Sequence, residues 1–222
     1  MTQISKSTFT FLKDLSVNNH KIWFDANKEK YLAAKENLID WTAELLQKIS
    51  KIESLPPSDP KKHLNRIYRD VRFSKDKTPY HTHLAVSIMR STDMNSKCGV
   101  YIHLQPGGSF FAGGVYMPSS EQLKLIRDGI DYDAKPLRKI LASKSFKENF
   151  GELQGETLVR PPKDFPADHP EIELLKMKQF LISRRYSDKE VLSESFQNEI
   201  VKIYKESLKV FAYFDQALGF VE

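Results

Sequence analysis

GVYIHLQPGGSFFAGGVYM, residues 99–117, is the stretch whose reading decides the fold. From Gly99 to Gln105 the apolar side chains Val100, Ile102 and Leu104 alternate with Tyr101, His103 and Gln105. A period of two sends the first set to one face of a strand and the second set to the other. Pro106-Gly107-Gly108 reads as a turn, and Ser109 to Met117 returns as a second strand, so the segment is an antiparallel hairpin or meander. Gly113-Gly114 inside the returning strand signals a bulge, or the close approach of another backbone or a ligand. Upstream, His83 to Arg90 alternates Leu84, Val86 and Ile88 with smaller or polar residues, which adds a third strand.

Helices extend on both sides. Ser7 to Val17 reads as one helix stopped by Asn18-Asn19, and Ile22 to Ile52 as a longer one with Leu38, Trp41, Leu45, Ile49 and Ile52 on its buried face. Leu55 to Pro60 holds three prolines and is a loop. Downstream, Ser119 with Gln122, Ser145 with Glu148 and Ser187 with Glu190 have capping-box spacing. Asp133 caps a helix with Pro136 in its first turn, and Gly151 is a stop. Arg160 to Pro170, with four prolines, is an ordered loop or a cover. Phe180 to Tyr186 is one more candidate strand. Leu192, Phe196, Ile200, Ile203, Phe211, Phe214 and Leu218 form the apolar stripe of a last helix. Helices, then strands, then helices predict an α+β fold, with a central antiparallel β-sheet from about residue 65 to 118 flanked by long N-terminal and C-terminal helices. The chain, 1–222, is read as a single domain without internal repeats.

Charge is distributed unevenly. The chain has 34 Lys and Arg against 29 Asp and Glu, a net charge of +5. Residues 61–80 carry seven Lys and Arg (Lys61, Lys62, Arg66, Arg69, Arg72, Lys75, Lys77) and two Asp (Asp70, Asp76), so they hold the whole excess and the rest of the chain is balanced. A concentrated positive field with internal carboxylates points to an anionic partner. Arg66, Arg69 and Arg72, three residues apart, suit bidentate capture of phosphate or carboxylate. Asp70 either holds one guanidinium fork in place or acts as a general base, which makes it the candidate catalytic residue. Tyr80 either donates to the anion or stacks on a base, and Lys77 adds charge. The competing reading is an internal salt-bridge network that ties helices to the sheet.

The string RIYRDVRFSKDKTPY resembles the signature Arg-x-x-Arg-Asp-x-Arg-Phe-x-x-Asp-Lys-x-x-Tyr of a family of conserved hypothetical proteins, the domain of unknown function 2461. Arg66, Arg69, Asp70, Arg72, Phe73, Asp76, Lys77 and Tyr80 stand at its positions. The Asn19, Trp23-Phe24 and Tyr31 stretch, the Gly113-Gly114-x-Tyr116-x-Pro118 segment and the Asp168-His169-Pro170 turn are similar to the family as well. The resemblance covers nearly the whole chain and implies a single-domain, bacterial-type protein; it carries no activity.

Other motifs narrow the choice. His81, His83 and His103 suggest a three-histidine metal site or ordinary polar residues on a sheet face. The second is preferred because the basic surroundings disfavour a bound cation, so no metal and no cofactor is expected. The glycine pairs lack the Lys-Ser/Thr of a phosphate loop, and there is no G-x-S-x-G elbow. Zinc-finger, RNA-recognition and homeodomain patterns are missing, and no exposed aromatics interleave with the basic run, which leaves nucleic acid as the secondary partner. Trp23, Phe24, Tyr31 and Trp41 read as core anchors. The Arg160–His169 loop is either a lid carrying His169 to the basic motif or a rigid connector. No run of apolar residues is long enough to span a membrane, no signal peptide or lipidation motif is read, and Cys98 is the single cysteine, all of which suit a reducing cytoplasm. The expected site therefore has Arg66, Arg69, Arg72, Lys77, Tyr80, Gly113 and Gly114 as ligand-binding residues and Asp70 as base. It lies where the Arg motif enters the sheet beside Gly113-Gly114 and takes a small anionic, phosphorylated ligand.

Overall fold

A computed structural model describes residues 2–88, 90–91 and 98–219. Four strands, β1 (Leu84–Ile88), β2 (Gly99–Leu104), β3 (Ser109–Val115) and β4 (Phe180–Tyr186), form one antiparallel sheet in the order β1-β2-β3-β4. The fold is α+β, as the alternation required. Gly107, at φ 73°, makes the β2–β3 turn, with the Gly108 N–H donating to the Gln105 carbonyl at 2.9 Å. Before the sheet lie α1 (Lys6–Val17), α2 (Lys21–Ala26) and α3 (Lys28–Ile49). Between β3 and β4 lie α4 (Ser120–Tyr132), α5 (Lys135–Ala142), α6 (Lys144–Phe150) and α7 (Ile172–Leu175), and after β4 come α8 (Asp188–Val191) and α9 (Phe196–Ala217).

Several boundaries differ from the sequence reading, three of them for an evident local reason. The long second helix is broken at Asn27, whose side-chain amide donates to the Trp23 carbonyl at 2.9 Å and so competes with the helical ladder. The cap of α6 is Ser143, not Ser145: Ser143 has extended backbone and accepts from the Phe146 N–H, while Ser145 donates to Glu206 at 2.6 Å. The sheet begins at Leu84 rather than near residue 65. Asp70 and Asp76 accept from the Arg72 and Thr78 N–H groups, folding 66–80 into local turns, and Pro79 has no donor to give a ladder. Only isolated bridges, Leu64 to Val86 and Tyr68 to Tyr80, join this segment to strand geometry. Ser119 and Ser187 form the complete boxes expected of them, whereas α5 is capped at Ala134 rather than Asp133, which ends α4 and accepts the Lys135 N–H at 3.0 Å.

The chain groups into two compact units. The first gathers residues 2–88, 101–111 and 185–202. Its core places Phe11, Leu12 and Leu15 of α1 with Phe24, Leu38, Trp41, Leu45 and Ile49, all nearly inaccessible. Phe24 stacks on Tyr80 at 3.9 Å, and Trp41 stacks on Phe196 at 5.8 Å. The second unit gathers residues 90–91, 98–100, 112–184 and 203–219. Ile126, Ile130, Leu137, Phe146, Phe180, Ile203, Phe211 and Phe214 are buried there.

Candidate functional site

The Arg66–Tyr80 segment is a surface loop of the first unit closed by a short antiparallel pair. The Arg69 N–H donates to the Pro79 carbonyl at 2.9 Å and the His81 N–H to the Ile67 carbonyl at 2.7 Å, with Tyr68 opposite Tyr80. In this register Tyr68 and Tyr80 share one face, and Ile67, Arg69, Pro79 and His81 share the other. Asn19 anchors the loop: its side-chain amide donates to the Tyr80 carbonyl at 2.9 Å and accepts the Tyr80 N–H at 3.1 Å.

The charges settle within the loop. Arg69 Nη1 donates to Asp76 Oδ2 at 2.6 Å and to the Thr78 carbonyl at 3.0 Å, and also meets Thr78 Oγ1. The Thr78 N–H, then Arg69, then the Thr78 hydroxyl hold the Asp76 carboxyl down at about 2. Arg72 forks onto Asp70, Nε to Oδ1 at 3.0 Å and Nη2 to Oδ2 at 2.7 Å. That fork, with the Arg72 N–H and the nearby Arg66 charge, lowers the Asp70 pKa, so Asp70 takes the orienting role and is a weakened base. Lys77 Nζ donates to the Val71 carbonyl at 3.0 Å. The pairs are local, with the Arg72 side chain 77 % and the Arg69 side chain 22 % accessible, and among the described residues no ion pair of this segment ties a helix to the sheet. Arg66 is exposed and makes no hydrogen bond or ion pair among the described residues, and Arg69 Nε and Nη2 carry no bond there either.

Two expectations about ligand contacts, one at Tyr80 and one at the Gly113-Gly114 pair, are corrected. Tyr80 is buried against Phe24 and cannot reach a ligand without leaving the core. Gly113 and Gly114 leave no room at their α-carbons: a Cβ would lie 2.5 Å from the Phe211 ring and 2.1 Å from the Phe180 carbonyl, respectively. The close approach that glycine permits is that of β4 backbone at Gly114 and of the Phe211 ring at Gly113. A third correction concerns aromatics. Phe73 is 95 % and Tyr68 51 % accessible, so exposed rings do interleave with the basic run, and the Arg72 guanidinium lies 5.9 Å from the Phe73 ring centre.

The histidines converge. His81 and His83 share a face by alternation, and His83 faces His103 of β2, with ring centres 4.8 Å and 4.1 Å apart along the series. His103 stacks on Phe110 at 4.6 Å and 15°. Gln105 Oε1 lies 2.9 Å from His103 Nε2, and Tyr101 Oη lies 3.1 Å from Nδ1. Gln105 accepts through its carbonyl oxygen, so His103 carries its proton on Nε2 and accepts from the tyrosine at Nδ1. Tyr101, Gln105 and Phe110 were missed as site residues, although the alternation along β2 already put Tyr101, His103 and Gln105 on one face. No group of three His, Cys, Asp or Glu side chains among the described residues is arranged to hold a metal.

Burial, then His103 and His81, push the His83 pKa down from 6.5 to about 4, and burial also lowers His81 and His103. The sign follows directly. Between about 4 and 6.5 the unfolded chain binds a proton that the folded chain refuses. Stability is therefore full above pH 6.5 and falls as the pH drops toward 4. Because the ring is half-exposed, the His83 share is on the order of 1 kcal/mol. Urea midpoints at pH 7.5 and 4.5 check this, and His83→Asn should flatten the dependence; an unchanged slope in that variant would refute the assignment.

Elsewhere, His169 is held within the second unit, Nε2 2.9 Å from Asp131 Oδ1 and Nδ1 accepting the Glu171 N–H at 3.0 Å. A cavity of about 350 Å³ in the first unit is walled by Lys13, Ser16, Thr82, Gln105 and Asp188, with none of the basic motif on its wall. In the second unit Arg90 and Asp215 form a buried ion pair at 3.0 Å, and Asp215 Oδ1 accepts the Cys98 N–H at 2.7 Å. No helix among the described residues is long and apolar enough to cross a membrane.

Comparison with known proteins places this chain in one family. The family model described as conserved hypothetical protein (DUF2461) matches residues 7–213. No curated protein and no solved structure matches the chain. The match runs through the basic loop, the imidazole stack and both compact units, and the chain belongs to the family of conserved hypothetical proteins, the domain of unknown function 2461.

Proposed function

We propose that the protein binds a small anionic, phosphorylated ligand on the free donors of Arg66 and Arg69 in the basic loop, the two guanidiniums whose charges both reach His81. The observation that carries this reading is the division of labour among the guanidiniums. Asp70 and Asp76 occupy Arg72 and one nitrogen of Arg69, while Arg66 and the Nε and Nη2 groups of Arg69 keep their donors free of protein partners among the described residues. Forked donors in a positive field, with the local carboxylates already engaged, suit a phosphate better than a carboxylate-rich partner. Lys77 contributes charge, while Arg72 is positioned by Asp70.

Thermal unfolding against phosphate, sulfate, sugar phosphates, nucleotides and acidic metabolites tests the reading. A ligand at a hundred times its dissociation constant adds about 2.7 kcal/mol, on the order of 5–10 °C for a chain of this size. Arg66→Ala should weaken the responding ligand about tenfold to a hundredfold, the loss of a charged hydrogen bond or two. Since Arg66 is exposed, the unliganded midpoint should stay within about 0.5 kcal/mol of the parent. A panel without any response at millimolar ligand would refute the anion reading.

The exposed rings of Phe73 and Tyr68 support a second reading, a single-stranded nucleic acid laid on the same loop. It requires a response to an oligonucleotide that fades steeply with salt and is lost in Phe73→Ala. An oligonucleotide response with no small-anion response would replace the first reading.

A further inference from the structure

Of the six histidines, His20, His63, His103 and His169 all have a ring nitrogen hydrogen-bonded. His63 shows what a purely structural histidine looks like here. It is 2 % accessible, with Nδ1 on the Ser87 carbonyl at 2.9 Å and Nε2 on the Ser58 hydroxyl at 2.5 Å. His81 and His83 differ: they are half-buried, and no ring nitrogen of either has a hydrogen-bond partner among the described residues. What they have is each other. Phe110, His103, His83 and His81 follow one another ring to ring at 4.6, 4.1 and 4.8 Å, and His81 is the last member of the series. The backbone register that pairs Ile67 with His81 puts this terminal ring on the same face as Arg69, which stands two residues beyond Ile67.

Neutral imidazoles offer a π-face and, at each ring, one N–H donor and one lone pair. A metal would need lone pairs converging on a point, and no such group occurs among the described residues; these rings lie 4.1–4.8 Å apart and tilted by 36–47°. A sugar phosphate alone would use the guanidiniums and leave the imidazole series without a counterpart. From this juxtaposition we infer that the phosphorylated ligand also carries a planar heteroaromatic ring, so that its class is the nucleotides: the phosphate lies on Arg66 and Arg69, and the base stacks on His81 and takes edge hydrogen bonds from His81 and His83. This rests on the anion reading above and adds the base subsite to it.

Calorimetric titration of the full chain with AMP, ribose 5-phosphate and adenosine separates the two. Stacking of one base on one ring is worth about tenfold to a hundredfold in affinity. AMP should bind at least about tenfold tighter than ribose 5-phosphate, and His81→Ala should erase that increment while leaving ribose 5-phosphate unchanged. In the parent protein the His81 and His83 ring protons should shift upfield with AMP and not with ribose 5-phosphate, a readout that needs no variant. Equal affinity for AMP and ribose 5-phosphate, with no ring-proton shift, overturns the base subsite and leaves the anion site standing. Adenosine binding as tightly as AMP overturns the anion site and leaves the stacking platform. Binding of none of the three overturns both.

Discussion

Asp215→Ala is expected to cost about 3–5 kcal/mol of folding stability, the range for removing one partner of a buried ion pair. The Arg90 and Asp215 side chains are 4 % and 9 % accessible, and their Nη1–Oδ2 distance is 3.0 Å. The substitution takes the Asp215 carboxylate away from the Arg90 guanidinium, which lies in a poorly hydrated place above the ring of Phe211 at 4.8 Å and also donates to the Cys98 carbonyl at 3.3 Å. It also strips the Cys98 N–H of its acceptor at 2.7 Å. Both effects act on the second unit, where α9 carries Phe211, Phe214 and Asp215 on neighbouring turns. Asp215→Asn keeps an acceptor for the Cys98 N–H and loses only the charge, so it should fall between the parent and the alanine variant. Urea unfolding of the three proteins measures the series. If Asp215→Ala lies within about 1 kcal/mol of the parent, the pair is not the clamp its burial implies.

Gly114→Ala is expected to be of similar size, about 4 kcal/mol, through a different cause. Gly114 has φ 127°, a backbone conformation that L side chains rarely adopt. An added Cβ would lie 2.1 Å from the Phe180 carbonyl oxygen and 3.2 Å from the Leu181 Cα, both backbone atoms of β4. Backbone of a paired strand cannot step aside without breaking its ladder, so strain and overpacking add, each on the order of 1–3 kcal/mol. Gly113→Ala supplies the control. Its Cβ would meet the tip of the Phe211 ring at 2.5 Å, and a ring can shift where a carbonyl cannot. It should cost about half as much. Chemical unfolding of both variants decides the point: if Gly114→Ala is no worse than Gly113→Ala, the backbone argument fails. Neither variant should alter anion binding at Arg66, because the glycines belong to the packing of the second unit and not to the basic loop.

How much of this was legible in the sequence follows from how far each signal reaches. The alternation of Val100, Ile102 and Leu104 is a nearest-neighbour property of a strand, and it specified β2 and its two faces. The Ser119–Gln122 and Ser187–Glu190 boxes act within four residues and were readable for the same reason. The concentration of charge in residues 61–80 was plain by counting. The family signature also lies in one continuous string, and the match over residues 7–213 agrees with it. What the string left undecided was which of two local hydrogen bonds wins. Asn27 against the helix ladder is a difference of about 1 kcal/mol, and so is Ser143 against Ser145, too little for composition to rank.

The roles within the site depended on contacts between residues distant in sequence. Tyr80 stood in the motif as a ligand contact, yet Phe24, fifty-six positions earlier, takes its ring at 3.9 Å and Asn19 takes its backbone. Gly113 and Gly114 looked like open space, and only the arrival of Phe180 and Phe211 shows that the space is filled. The three histidines were visible, but their ring-to-ring order and the place of Arg69 on the same face required the β1–β2 pairing and the loop register. Sequence determines what is set by neighbours along the chain: strand faces, helix caps, turn chemistry and the density of charge. Tertiary structure decides which of the charged and aromatic groups stay accessible, because burial and partnership are settled by segments that meet only after folding.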